Sequence, residues 1–305
     1  MGIFPDNPRL NEAVNFFVYD TIKIFLLLAA IIFAVSIIRS FFPPEKIKKI
    51  LSHNNRFKGH VLAAVLGIFT PFCTCSAIPL FLGFVEAGVP LGVTFTFLVA
   101  SPMINEVALI MLLGMFGWKV ALLYIASGMV IAITAGLAIG AMKVERLLER
   151  LEFKNGTNPL TEGIELKWPD RIRYAKTHVV FIIKSVWLYV IIGIGAGAWI
   201  HGYVPVDFLA RYAGGGKWYA VPLAVLIGIP LYSNAAGIIP LVSALTEKGM
   251  AMGTTLAFMM AVTGLSLPEF MILRKVMKAR LILVFAGVVG AGIILTGYLF
   301  NFVIK

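Results

Sequence analysis

Three stretches, residues 16–38, 179–199 and 281–303, each run for about twenty predominantly apolar residues. A helix of that length crosses the ~30 Å hydrocarbon core of a bilayer. No other feature narrows the fold so far, because in lipid a backbone must satisfy its own hydrogen bonds. Only helices and closed barrels do so. The composition points the same way. Of 305 residues, 60% are apolar and 13% charged, with a mean hydropathy of +0.93. A soluble domain is roughly half apolar and about a quarter charged, and no soluble core of this size absorbs that excess. The first fifteen residues carry Asp6 and Glu12 and lack a basic segment ahead of a short apolar core, so no signal peptide is expected. The reading is an all-α, polytopic integral membrane protein of about ten helical segments.

The formal net charge of +11 invites a nucleic-acid partner, and its distribution argues against one. Residues 39–58 hold six Lys and Arg, residues 143–176 hold eight, and residues 274–280 hold four. Short basic loops mark the cytoplasmic side of a membrane protein. The segments before residue 16, around Lys119, from 201 to 217 and after 303 hold five between them, which places them outside. The N-terminus and the C-terminus are therefore both expected outside a cell (inner) membrane. The partner of the basic loops is anionic membrane lipid rather than nucleic acid.

An internal repeat organises the chain. Sliding the sequence on itself by 161 residues aligns 61–101 with 222–262 without a gap, giving 13 identities in 41 positions. Among them are Gly67/Gly228, Pro79/Pro240, Glu86/Glu247, Gly88/Gly249, Gly92/Gly253 and Thr94/Thr255. Hydrophobicity alone does not hold prolines and glycines in register. The division is a first transmembrane repeat over 1–142, a charged cytoplasmic linker over 143–178 and a second transmembrane repeat over 179–305. The charge map flips every corresponding element: helix 16–38 enters the basic side, whereas its counterpart 179–199 leaves it. Two inverted-topology repeats are the architecture of many secondary transporters.

Between first and last helix, each half has about 55 residues to make an odd number of crossings. Pro71 and Pro79 interrupt the run 59–84, and proline removes an amide donor and crowds the preceding turn; unwinding is expected over 70–76. The runs 89–100 and 104–115 are each too short to span. Joined at Ser101-Pro102 they form a re-entrant hairpin, and the second half repeats it with a tip at Thr263-Gly264. Non-helical backbone at membrane depth lines a cavity or is buried in protein. Four such interruptions, two from each side, converge on one central site.

The chain's only two cysteines, Cys73 and Cys75, lie in the first interruption. In extended chain, residues two apart share a face, and soft thiolates select soft metals and trivalent arsenic. The competing reading is two small apolar packing residues. Their repeat partners are Asn234 and Ala236, so any thiol chemistry belongs to one half. Ser101, Asn105 and Ser266 at the hairpin tips join Asn234 as candidate substrate-binding groups. Glu106 and Glu269 each follow a tip, at matching positions if the second half carries a two-residue insertion. Intramembrane carboxylates usually line a pathway or carry protons. Ser266-Leu267-Pro268-Glu269 also fits a capping box, which makes Glu106 the better candidate for the coupling proton; Ser101 is a candidate cap for the returning arm. Glu86 and Glu247 fall in solvated turns, and Lys23 and Lys184 snorkel from their helices.

Pro71-Phe72-Cys73-Thr74-Cys75-Ser76-Ala77-Ile78-Pro79, then Gly88-Val89-Pro90 and Ala100-Ser101-Pro102-Met103-Ile104-Asn105, resembles the predicted-permease family that contains the trivalent organoarsenical efflux permeases. The same family includes proteins assigned to copper or zinc efflux. The resemblance implies export of a small thiol-reactive metal or metalloid species, with Cys73 and Cys75 as the matching ligands. Members assigned to metals often carry His-rich linkers, whereas His53, His60, His178 and His201 are scattered here. Two other readings stay open: a transmembrane thiol-redox carrier, and an uptake permease for a small sulfur-containing anion held by half-helix dipoles. Neither a nucleotide-binding signature nor a catalytic constellation is present. The expectation is no enzyme and no cofactor, and no feature of the sequence sets an oligomeric state.

Overall fold

The computed structural model describes residues 8–41, 56–69, 74–86, 88–104, 106–142, 147–148, 168–203, 217–231, 235–274 and 277–304. Some helical side chains, those of Cys75 and Glu106 among them, fall outside the description. In chain order the helices are α1 (Pro8–Phe41), α2 (Arg56–Phe69), α3 (Thr74–Glu86), α4 (Leu91–Met103), α5 (Glu106–Ala141) and α6 (Trp168–Tyr203). They continue with α7 (Ala220–Gly228), α8 (Ala235–Glu247), α9 (Met252–Gly264), α10 (Leu267–Leu273) and α11 (Ala279–Val303). Among the described residues there is no strand, only an isolated bridge between Leu148 and Met277. The chain is an all-α membrane protein. By length and composition three segments are apolar enough to cross a bilayer: Ala108–Ala141, Met252–Met271, which is broken at 265–266 between α9 and α10, and Ala279–Val303. The spans read at 16–38 and 179–199 lie inside α1 and α6.

Local chemistry sets the breaks. At Gly117 the backbone takes φ 80, ψ 173 inside α5, which separates a short arm, 106–116, from the spanning helix 118–141. Helices α3 and α8 end alike. Gly88 and Gly249 adopt φ 74 and 85, the left-handed C-cap that glycine takes without a Cβ penalty. The Val89 amide then donates to Phe84 O at 2.9 Å and the Met250 amide to Leu245 O at 3.0 Å. Each of these bonds satisfies a carbonyl that the helix end would leave orphaned.

The core is built around α4 and α9. Every residue of α4 is buried, as is α9 from Gly253 to Gly264. At thirteen residues each they rise ~20 Å, too little to cross, and an apolar surface all round suits a helix enclosed by protein. Phe81 and Phe84 of α3 meet Phe95 and Phe97 of α4 edge-on at 5.3 and 5.2 Å, contacts worth ~0.5–1.5 kcal/mol each beyond area burial. Small residues let backbones approach. A Cβ on Gly92 would stand 2.6 Å from Gly136 O in α5, and a Cβ on Gly253 would strike Gly297 O in α11. Likewise Gly67 faces Ala100 and Gly228 faces Ala261. Each of these positions lies 161 residues from its counterpart.

Helices at matching positions also pack on each other: α1 on α6, α4 on α9, and α5 on α11. Within these contacts Ile131 meets Gly292 and Met103 meets Gly264, again 161 residues apart. Just past α5, Leu147 O accepts from the Lys278 amide at 2.9 Å, directly before α11. The end of α5 and the start of α11 therefore lie together, and the two packed helices run antiparallel.

Candidate functional site

Helix α2 ends at Phe69 and α3 starts at Thr74, on either side of the segment where the prolines predict an interruption. Cys73, like Thr70 and Pro71, lies outside the described residues; Cys75 stands in the first turn of α3. The sequence predicts extended chain through Ser76, and the helix resumes sooner. Pro79, the sixth residue of α3, does not prevent this, although it forfeits a ladder bond and its ring crowds the carbonyl four residues back. The acceptor it leaves without a ladder donor is the carbonyl of Cys75, four residues back. Pro240 does the same to Ala236 in α8. The second interruption separates Gly228 from Ala235, with Asn234 outside the described residues.

The ends of α4 and α9 also sit further on than the turns expected at Ser101-Pro102 and Thr263-Gly264. Both α4 and α9 run through those turns, closing with Ile104 N–H to Ala100 O and Leu265 N–H to Ala261 O, each at 2.9 Å. Pro102 is carried inside α4, because in the last turn it forfeits one ladder bond and burial on all sides holds the helix together. Ser101 is thus buried within α4 rather than at the start of the return arm. Asn105 lies outside the described residues, as does the side chain of Glu106, the first residue of α5. Ser266, buried, directly precedes α10. The Leu267 amide donates to Ile229 O at 2.8 Å, which ties the second tip to the second interruption.

At the centre the two tips touch. The Met103 side chain lies against Gly264. The Tyr124 hydroxyl, buried in α5, donates to Met103 O at 2.7 Å and faces the Thr263 side chain of the other tip. Sequence reasoning passed over Tyr124, although a tyrosine deep in an apolar span was a readable signal. It also passed over His60, which pairs through Nδ1 with Thr96 Oγ1 at 2.7 Å beside Gly136.

Glu269 is 2% exposed, and both carboxyl oxygens are buried without a hydrogen bond among the described residues. The Ser266 amide is turned toward it, at a geometry short of a bond to either oxygen. The capping role that set Glu269 aside is therefore incomplete. The register also differs from the one with a two-residue insertion. Helices α5 and α10 start 161 residues apart, at Glu106 and Leu267, so the position matching Glu269 is Ala108, itself buried. Glu247 is exposed and accepts from the Ser243 hydroxyl at 3.2 Å. Lys23 and Lys184 are exposed too, as snorkelling cations would be. Among the described residues no three His, Cys, Asp or Glu side chains form a metal cluster.

The predicted-permease family pattern matches residues 9–302. UPF0718 protein MJ0584 of Methanocaldococcus jannaschii is 24% identical over 85% of this chain and 86% of its own length. UPF0718 protein YraQ of Escherichia coli is 24% identical over 86% of this chain and 73% of its own. A Streptococcus mutans protein, named as a candidate subunit of a two-component membrane permease complex, is 26% identical over 86% and 85%. No solved structure matches. With nearly the whole chain inside the family pattern and its helices apolar enough to span, this protein is a membrane permease and belongs to the predicted-permease family.

Proposed function

We propose that this permease exports a thiol-reactive metal or metalloid species, trivalent organoarsenicals among them, from the cytoplasm through a central site in the cell membrane. The observation that carries the reading is the place of the only two cysteines. Cys73 falls between α2 and α3 and Cys75 lies in the first turn of α3, whose Pro79 frees the Cys75 carbonyl. Thiolate sulfur supplies affinity for a soft centre, and Asn234, Ser101, Asn105 and Ser266 supply polar contacts from the second interruption and the two tips. Glu106 and Glu269 are the acids available to exchange protons for substrate. Purified protein titrated with phenylarsine oxide is expected to bind it stoichiometrically, and blocking of the thiols with maleimide is expected to abolish binding. Binding unaffected by the block would reject the soft-ligand site.

The architecture under this reading is a pair of inverted repeats with both termini outside. Three observations support it: the recurrence of close contacts at 161 residues, the meeting of residues with their own counterparts, and the antiparallel pairing of α5 with α11. The bridge from Leu147 to Lys278 also joins two basic segments, which the positive-inside rule assigns to the cytoplasm. In a Cys73→Ser, Cys75→Ser background, Lys48→Cys, Lys154→Cys and Lys278→Cys are expected to react with a membrane-impermeant maleimide only from the cytoplasmic side. Lys217→Cys should react only from outside. Labelling of positions 48 and 278 from opposite sides would reject the inverted arrangement.

A further inference from the structure

We propose that Glu269, whose matching position in the first half holds no acid, takes up and releases the coupling proton where α10 packs against α6 and against α3, the helix that carries Cys75 in its first turn. The first ground is burial without partners. Both oxygens are enclosed, and neither completes a hydrogen bond among the described residues. An isolated carboxylate is too costly to keep ionised away from water. The carboxyl is therefore held there as the neutral acid.

The second ground is the comparison the repeat supplies within one chain. At the matching position the first half has Ala108, as buried as Glu269. The fold closes over an alanine there, so packing does not require the acid. An intramembrane acid that the fold does without, at a cost in desolvation, is retained for function.

The third ground is place. Helix α10 touches α6 and α3, and its first amide is bonded to Ile229 O at the second interruption. Helix α10, which carries Glu269, thus stands where the end of α9, the second interruption and the cysteine-bearing helix come together. Of the ionisable groups on α6, Asp170, Arg173, Lys176 and Lys184 are exposed, and Arg171 and Tyr174 half-buried. Those on α3 are Cys75 and Glu86, whose side chains, like those of His178, Tyr189, His201 and Tyr203 on α6, lie outside the described residues. None of the described charged side chains of α6 is buried with Glu269. Its charge state then depends on whether water reaches it. The step is one proton per carboxyl: the carboxylate takes a proton from water on one side, is enclosed as the acid, and returns the proton when α10 parts from α3 and α6 on the other.

The role in coupling rests on the export reading; the proton site does not, and the experiment separates them. In the full chain reconstituted into liposomes, infrared spectroscopy is expected to show the carbonyl stretch of a protonated carboxyl free of hydrogen bonds. Glu269→Gln should remove that band and Glu106→Gln should keep it. In the same vesicles, accumulation of phenylarsine oxide driven by a pH gradient should fall at least ~tenfold in Glu269→Gln, while exchange at equal concentrations continues. A band that survives Glu269→Gln overturns the proton site. A lost band with full response to the pH gradient overturns the coupling role. A lost band in a protein whose wild type moves no phenylarsine oxide upholds the proton site and rejects the export reading. Glu269→Ala, which copies the first half, serves in the same assays if the glutamine variant does not fold.

Discussion

Cys73→Ser and Cys75→Ser chains are expected to reach the membrane in normal amounts and each to lose at least ~tenfold in export of a trivalent organoarsenical. Serine keeps the shape of the side chain to within one atom, so packing changes little. It does not keep the ligand, because a hydroxyl is a hard donor and remains protonated where a thiol ionises. A soft centre held by two sulfurs loses one of its two strongest bonds in either single variant. The double variant should then be little worse than the singles, since one remaining sulfur already binds poorly. Resistance assays in an arsenic-sensitive host, with membrane abundance measured in parallel, read both quantities. Wild-type resistance in the double variant would leave the cysteines as packing residues.

What the sequence made legible follows from how strongly each feature constrains the backbone. Prolines and glycines in register announced the repeat over 61–101 and 222–262, because few other residues replace them at a cap or a break. The last helices were not readable in that way. Residues 118–142 and 279–303 share only Leu122/Leu283, Ile133/Ile294 and Gly136/Gly297, yet Gly136 and Gly297 make equivalent contacts. Lipid-facing positions tolerate any apolar residue, so identity fades while geometry stays. The tips were misplaced because Ser101-Pro102 reads as a turn in isolation, whereas burial of α4 on all sides carries the helix through it. Glu269 was discounted on a local pattern. Whether Ser266 and Glu269 close a capping box depends on geometry no tetrapeptide specifies, and here the bond is not made.

The largest effect on folding is expected at Gly253. A Cβ there would strike the Gly297 carbonyl oxygen and stand 2.5 Å from Asn301 N and 2.6 Å from Asn301 Oδ1. Two of these three are backbone atoms of α11, which cannot rotate away. The third is fixed, because Asn301 Oδ1 accepts from the Thr254 amide at 3.2 Å and Nδ2 donates to Thr254 Oγ1 at 3.1 Å. Alanine usually stabilises a helix by ~1 kcal/mol over glycine, but here α9 and α11 would have to separate at the centre of the second half. Overpacking costs typically ~1–3 kcal/mol, and with backbone opposing backbone the cost should reach the top of that range or pass it. Gly287 is the matched control on α11. It is exposed, and nothing lies within 4 Å of the place a Cβ would take, so Gly287→Ala should be neutral or stabilise by up to ~1 kcal/mol. Thermal melting in detergent is expected to place Gly253→Ala well below the wild type, or to find it unfolded, and Gly287→Ala at or above it. Equal melting of the two variants would mean that α9 and α11 do not meet at Gly253.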